Sequence, residues 1–390
     1  MSATAKQAPS DQKLILIVDD TPTNLGVISG ALTDTYKTKV ATNGQKALAL
    51  ASGEDKPDLI LLDVVMPEMD GYEVCTRLKA DPATREIPVI FLTGQTSVED
   101  ETRGFSVGGV DYVHKPFSPA IVKARVHSHI LLREARAQLA RQLDVLNAEL
   151  EMARQIQLSI LPHELPKLPG LDIAARFLPM ASVGGDFYDF IRIDDKHLGI
   201  LIADVSGHGL SSALIASMLQ VALAGQVAHA SQPAEVLAGL NQAVSGKFST
   251  NFVTAAYIYV DLEKNLMRYA GAGHPPLMQY RSGTGKAGQF LENGMVLGIM
   301  DDSEYAALEI PLEPGDRQVL YTDGILEAAN AAEEMYGAER FMRFLEINKS
   351  LDAGQFADAL LAEIARWTGQ TGEQGQQDDL TLVLFDFKQS

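Results

Sequence analysis

Over the first 115 positions, apolar residues fall in short continuous runs, and each run closes on a polar or charged residue. LILIV ends at Asp19-Asp20, LILL at Asp63, VIFL at Thr93, and Tyr112-Val113 leads through His114 to Lys115. Runs this short read as strands buried on both faces, here over 13–17, 38–41, 58–63, 88–93 and 111–114. Between them Leu25, Ile28 and Leu32 recur at helical spacing from Thr23, and 44–52 reads as a second helix. Strands alternating with helices predict a doubly wound, five-stranded parallel sheet, whose functional groups sit at the carboxyl ends of the strands. Asp19, Asp20, Asp63, Thr93 and Lys115 all fall at such ends.

From about Phe117 to Ile160 the period changes. No glycine occurs between Gly109 and Gly170, and Leu132, Leu139, Leu146, Ala153 and Ile160 repeat every seven residues. Leu143 and Leu150 fill the second seam, interrupted by Arg136 and Gln157. This predicts one long helix of about four heptads, coiled-coil-like, with a parallel dimer preferred over packing against the chain's own domains. Pro162, Pro166 and Pro169 stop it. Beyond Leu171, strands and turns alternate. Helices are expected at 211–227, 233–247, 339–345 and 356–368, and a hairpin turns around Glu263-Lys264-Asn265. Strands close on Asp204, Thr322-Asp323 and 380–387, and Gly369–Gln377 reads as a flexible loop. Two stacked, mainly antiparallel sheets flanked by helices are expected there.

Composition narrows the function. The chain has 390 residues, 46% apolar and 21% charged, enough for two cores and a linker. A net charge of −19 argues against a nucleic-acid-binding surface and fits clustered carboxylates awaiting divalent cations. The single Cys75 rules out an internal disulfide framework. No apolar run has the length of a membrane span and MSATAKQAPSDQK has no leader-like core, so a cytoplasmic protein is expected, with neither membrane nor nucleic acid as partner.

In the first part, three carboxylates at one sheet edge repel each other unless a hard cation bridges them. A lysine and a hydroxyl opposite suit the oxygens of a phosphoryl group, and an Asp can accept that group covalently. Residues 13–128 resemble a two-component receiver domain, through VDDTPTN (18–24), LLDVVMPEMDG (61–71), FLTG (91–94) and DYVHKPF (111–117). The resemblance implies phosphorylation of Asp63 by a histidine kinase. It also implies magnesium held by Asp20, Asp63 and the Val65 carbonyl, with Asp19 assisting through water. Thr93 and Lys115 would contact the phosphoryl group, and Tyr112 holds the aromatic switch position.

In the second part, Asp186, Asp204, Asp323 and Asp378 each stand beside a strand end, with no Cys/His set of zinc-type spacing. All-oxygen ligation suits magnesium or manganese, and two such ions activate a water and clamp a phosphoryl group. RQIQLSILP (154–162), VGGDFYDF (183–190), ADVSGHG (203–209), AGAGHPP (270–276), LYTDGILEA (320–328) and QQDDLTLVL (376–384) resemble the metal-dependent, type 2C protein serine/threonine phosphatases, in their bacterial sporulation and stress-regulator branch. The resemblance implies that Asp204 bridges two manganese or magnesium ions, with the Val205 carbonyl as a further ligand. Asp323 and Asp378 would bind one ion, and Asp186 the other, directly or through water. Asp379 would shape the site or exchange roles with Asp378. His208 is a proton donor or a loop-fixing residue, His274 a buried structural one, and Arg176 and Arg192 are phosphate contacts only by proximity.

The domains expected are a flexible 1–12, a receiver over 13–128, a helical linker over 129–160 and a phosphatase over 161–390. Together they describe a response regulator whose phosphatase output is gated at Asp63. Its implied substrate is a phosphorylated anti-sigma-factor antagonist in a partner-switching pathway. The alternative is a signalling adaptor in which a silent phosphatase fold serves only to bind proteins.

Overall fold

The apolar runs of the N-terminal part become strands with two buried faces. A computed structural model describes residues 12–94, 98–180, 183–207, 209–248, 251–369 and 378–388. The chain divides into two compact units, Met1–Val145 and Leu146–Ser390. In the first, β1 (Leu14–Val18), α1 (Pro22–Leu32), β2 (Lys37–Ala41), α2 (Gly44–Ala51), β3 (Leu59–Asp63), α3 (Gly71–Ala80), β4 (Val89–Thr93), α4 (Val98–Ser106) and β5 (Asp111–His114) alternate before the long α5 (Pro119–Ile160). The strands form one parallel sheet in the order β2-β1-β3-β4-β5. The period of two sorts its side chains. Ile15, Ile17, Leu59, Leu61, Ile90 and Leu92 pack with Leu25, Ile28 and Leu32 of α1 and Val122, Val126 and Ile130 of α5. Leu16, Val18, Ile60, Leu62, Val89 and Phe91 pack against α2 and α3. Asn43 and Asp70 cap α2 and α3, accepting from Lys46 N at 2.9 Å and Glu73 N at 2.7 Å.

Helix α5 runs 42 residues without interruption. Leu132, Leu139, Leu143 and Leu146 are each about half exposed, at 47–57%. This part of the seven-residue stripe is open to solvent among the described residues, whereas Ile160 at its end packs on the core of the second unit.

The second unit continues with β6 (Leu171–Leu178), β7 (Phe187–Arg192), β8 (His197–Val205), α6 (Leu210–Ala224), α7 (Pro233–Val244), β9 (Val253–Asp261), β10 (Leu266–Ala272), β11 (Leu277–Arg281), β12 (Lys286–Phe290), β13 (Asn293–Gly294) and β14 (Leu308–Pro311). It ends with β15 (Arg317–Tyr321), α8 (Gly324–Glu327), α9 (Gly337–Ile347), α10 (Ala353–Thr368) and β16 (Leu380–Phe387). One sheet has the order β13-β10-β9-β8-β7 with β14 also on β10, and the other β12-β11-β15-β16-β6. All named pairings are antiparallel except β10 with β13. Val383, Phe385 and Phe387 of β16 join the core shared with β8, β9, α6 and α7. Leu380, Leu382 and Leu384 turn to the core under α9 and α10. Two stacked sheets with helices outside are thus specified by the alternation within a single strand. The β9–β10 hairpin closes on Asp261, whose Oδ1 accepts Glu263 N and Lys264 N, and Asn265 takes the left-handed conformation at φ 50° that Asn tolerates. No helix is long and apolar enough to cross a membrane, among the described residues. The loop expected at 369–377 lies outside the described residues beyond Gly369.

Candidate functional site

The carboxyl ends of β1, β3, β4 and β5 bring the first acidic group together. Oxygens of Asp19, Asp20 and Asp63 lie within 4.8 Å of one another. Asp19 is fully buried and fully engaged: it accepts from Thr21 N at 2.9 Å, Asn24 Nδ2 at 3.0 Å and Lys115 Nζ at 2.9 Å. Lys115 Nζ also lies 2.7 Å from Asp63 Oδ2. Burial pushes the Asp63 carboxyl up against the lowering effect of Lys115, while Lys115 itself is raised on balance: its burial opposes this, but the Asp63 and Asp19 partners outweigh it. Asp20 is exposed, and Val65 is exposed with its N–H donating to Asp63 Oδ1 at 3.4 Å. Thr93 is buried at the end of β4, and its carbonyl accepts Lys115 N at 2.8 Å. Tyr112 points inward, stacked on Phe91 at 5.5 Å and edge-on to Phe105 at 5.2 Å. An acid trio with one exposed member and a fixed cation suits a single hard divalent ion beside a phosphoryl acceptor.

The second acidic group gathers from four strand ends. Asp186 precedes β7, Asp204 lies near the end of β8, Asp323 follows β15 and Asp378 precedes β16. Asp186 is buried. Its Oδ2 accepts Thr322 Oγ1 at 2.7 Å and also Thr381 Oγ1, while its Oδ1 is buried with no hydrogen-bond partner. Burial, then the charges of Asp204 and Asp379, raise the Asp186 carboxyl well above its usual range. Burial and the charges of Asp323, Asp378 and Asp379 push Asp204 up to about 7. Asp323 is raised by burial and by Glu327. Among the described residues, no Lys or Arg forms an ion pair with Asp186, Asp204 or Asp323. No three of these carboxylates, among the described residues, bring their oxygens within 4.8 Å of one another as the receiver trio does. A buried orphan oxygen and mutually repelling acids fit divalent cations with oxygen ligands.

The backbone around this group leaves no slack. A Cβ on Gly185 would sit 2.5 Å from the Val205 carbonyl oxygen, and one on Gly184 2.3 Å from Asp379 Oδ2. Asp379 accepts Met180 N and Gly185 N, both at 2.7 Å, and so ties the start of β16 to the loop that carries Asp186. The same loop is also held by α5. Gln157 is buried, its Nε2 donates to Gly184 O at 2.6 Å, and its Oε1 accepts Gly184 N at 3.0 Å. Gln157 thus breaks the heptad seam because it binds this loop, a role that the heptad spacing does not reveal. His274 is buried, with Nδ1 3.0 Å from Thr254 Oγ1, and burial lowers its imidazole to about 3. Arg176 is paired with Asp358 at 2.7 Å and Arg192 with Asp195, so both guanidinium groups are engaged in ion pairs. His208 lies outside the described residues.

Against this geometry, two family models match. One described as stage II sporulation protein E covers residues 194–388, half of the chain, and one described as response regulator receiver domain covers 15–127. The phosphoserine phosphatase RsbU of Bacillus subtilis is 33% identical over 183 residues, 47% of this chain and 54% of that protein. A probable cyclic di-GMP phosphodiesterase of Vibrio cholerae is 47% identical over 138 residues, 35% of this chain and 31% of that protein. The chain therefore spans from just under a third to about half of the length of these relatives. The SiaA-PP2C domain of Pseudomonas aeruginosa superposes with a TM-score of 0.57 and 26% identity, over 64% of this chain and 99% of that one.

Proposed function

The chain belongs to the stage II sporulation protein E family and carries a response regulator receiver domain ahead of that region, and we propose that the receiver gates a metal-dependent protein phosphatase acting on phosphoserine or phosphothreonine. One observation carries this reading: carboxylates gathered from four strand ends, with Asp204 raised to about 7, Asp186 Oδ1 left unpartnered, and no Lys or Arg paired to Asp186, Asp204 or Asp323 among the described residues. Asp204 would be shared by two manganese or magnesium ions, with the Val205 carbonyl as a further ligand, Asp323 and Asp378 holding one ion and Asp186 the other, directly or through water. Such a site would supply an activated water and offset the charge of the transferring phosphoryl group. Thr322 and Thr381 orient Asp186 through its Oδ2, which keeps Oδ1 free, and Asp379 fixes the loop behind it.

In the receiver, Asp63 would take the phosphoryl group from a histidine kinase, with Lys115 and Thr93 on its oxygens and Tyr112 following Thr93. Magnesium would be held by Asp20, Asp63 and the Val65 carbonyl, with Asp19 acting through water. The signal would travel along α5, which ends in the Gln157–Gly184 hydrogen bonds beside Asp186. The half-exposed leucine stripe of α5 supports a homodimer through the linker. The name of the RsbU relative supports a phosphoserine protein as substrate. We assign it to the class of anti-sigma-factor antagonists, within sigma-factor partner switching in the cytoplasm.

The test is manganese-dependent phosphate release from a phosphoserine protein, with and without beryllofluoride as the mimic of phosphorylated Asp63. Activity that disappears in Asp204→Ala and changes with beryllofluoride supports a receiver-gated phosphatase. No release in either state, across ions and phosphoproteins, overturns it in favour of a binding module.

A further inference from the structure

A cavity of about 390 Å³ opens beside the second acidic group, and of its lining only Asp378 has a part in the proposed chemistry. Gly324 and Asp378 line it, so it shares a wall with the carboxylate centre. Its remaining surface is chiefly aliphatic, from Leu178, Leu380, Met335 and the α10 residues Leu361, Ile364 and Ala365. The hydroxyl of Thr368 is engaged within its own helix, donating to Ile364 O at 3.1 Å. Among the described residues, the charged groups on the lining are all acidic: Glu327, Glu333 and Asp378.

The wall is built rather than left over from loose packing. Trp367 Nε1 donates to Ala328 O at 3.1 Å and to Glu334 O at 3.2 Å, which clamps both ends of the segment from 328 to 334. Ala329 and Met335 form an antiparallel bridge, and the Arg340 guanidinium lies 4.2 Å from the centre of the Trp367 ring. A volume of this order holds a large side chain or a small ligand. An acidic rim repels nucleotides, free phosphate and acidic peptides and favours a neighbouring cation.

We infer that this cavity is a subsite for an apolar side chain of the phosphoprotein substrate, followed by a lysine or arginine that meets Glu333 and Glu327 at the rim. The inference rests on the phosphatase reading above and deepens it. A phosphoserine placed at the carboxylate centre carries its flanking residues past Gly324 and Asp378 into this cavity. Specificity for a protein over a small phosphoester is thereby set beside the reaction, by groups that take no part in it.

The experiment uses the full chain with manganese and a set of phosphoserine peptides in which a Leu-Lys pair stands at successive offsets in an otherwise alanine background. One offset is expected to raise kcat/KM by about ten-fold or more, the scale on which an apolar pocket discriminates. Ala365→Trp, on an exposed helical position lining the cavity, should erase that gain while p-nitrophenyl phosphate is hydrolysed as before. If Ala365→Trp does not fold, Met335→Lys at the exposed rim makes the same comparison. Glu333→Lys should turn the preference from Leu-Lys to Leu-Glu. A flat peptide series with the wild-type chain, or a gain that survives filling of the cavity, overturns the subsite. Failure of the wild-type chain to hydrolyse even p-nitrophenyl phosphate is a separate outcome, which overturns the phosphatase reading and the subsite with it.

Discussion

The two acidic centres solve the same electrostatic problem differently. Each gathers carboxylates at strand ends, where burial penalises their charge. In the receiver, Lys115 reaches both Asp19 and Asp63 within 3 Å, so the protein brings its own counter-charge and Asp19 can be fully buried. In the second unit, Asp186, Asp204 and Asp323 have no Lys or Arg paired to them among the described residues, and Asp204 is pushed up to about 7. Desolvating a charge costs several kcal/mol even after relaxation. A centre with a built-in cation is ready to exchange a phosphoryl group. A centre without one is ready for metal ions.

The sharpest way to break this contrast is Asp204→Asn. Phosphate release should fall by about 10³-fold or more if this carboxylate organises the centre. The metal-free variant should also melt higher than wild type, because a repelling acid has gone. Retained activity would remove the distinction between the two centres. Lys115→Met sharpens it from the other side. It leaves Asp19 buried without its cation and should cost about 2 kcal/mol in urea unfolding, less than a fully buried pair because Lys115 is a quarter exposed. Added magnesium should restore part of that loss.

The third test concerns the link from α5. Gln157→Ala leaves both polar groups of the Gly184 peptide region unpaired, and should cost about 1–2 kcal/mol and weaken manganese binding. Unchanged binding would detach α5 from the metal-binding loop. The smallest effect is expected at His274. Its imidazole is lowered to about 3 in the fold, so below its ordinary value near 6.5 the unfolded chain takes up a proton that the folded chain refuses. Stability from this group is therefore complete above pH 6.5 and declines as the pH falls toward 3, by about 1 kcal/mol over the first pH unit. The advantage in Tm of wild type over His274→Asn, followed from pH 7 to 5.5, should shrink accordingly.

Much of this architecture is legible in the sequence where period and chemistry coincide. Continuous runs ending in Asp, as in LILLD and LGILIAD, mark strands buried on both faces and place their carboxylates at the sheet edge. Strands such as KAGQF (β12) and the two-residue β13 carry no such pattern, because they are edge strands held by pairing rather than by burial. The site residues that spacing hides are those that act through backbone. Gln157 reads as a fault in a heptad, and only the fold brings it to Gly184, 27 residues away. Asp379 reads as a spare acid beside Asp378, and its role depends on amide groups nearly 200 positions upstream. The cavity beside Gly324 combines β6, α8, α10 and β16, so no single stretch of sequence announces it.

The most direct test of the contrast between the centres is a manganese titration of the full chain followed by electron paramagnetic resonance. Wild type, Asp204→Asn and Asp63→Asn would be compared. Asp204→Asn should lose the ions of the second unit and keep the receiver's ion, and Asp63→Asn should do the reverse. Equal manganese uptake by wild type and Asp204→Asn would contradict the account, because the carboxylates of the second unit would then need no metal.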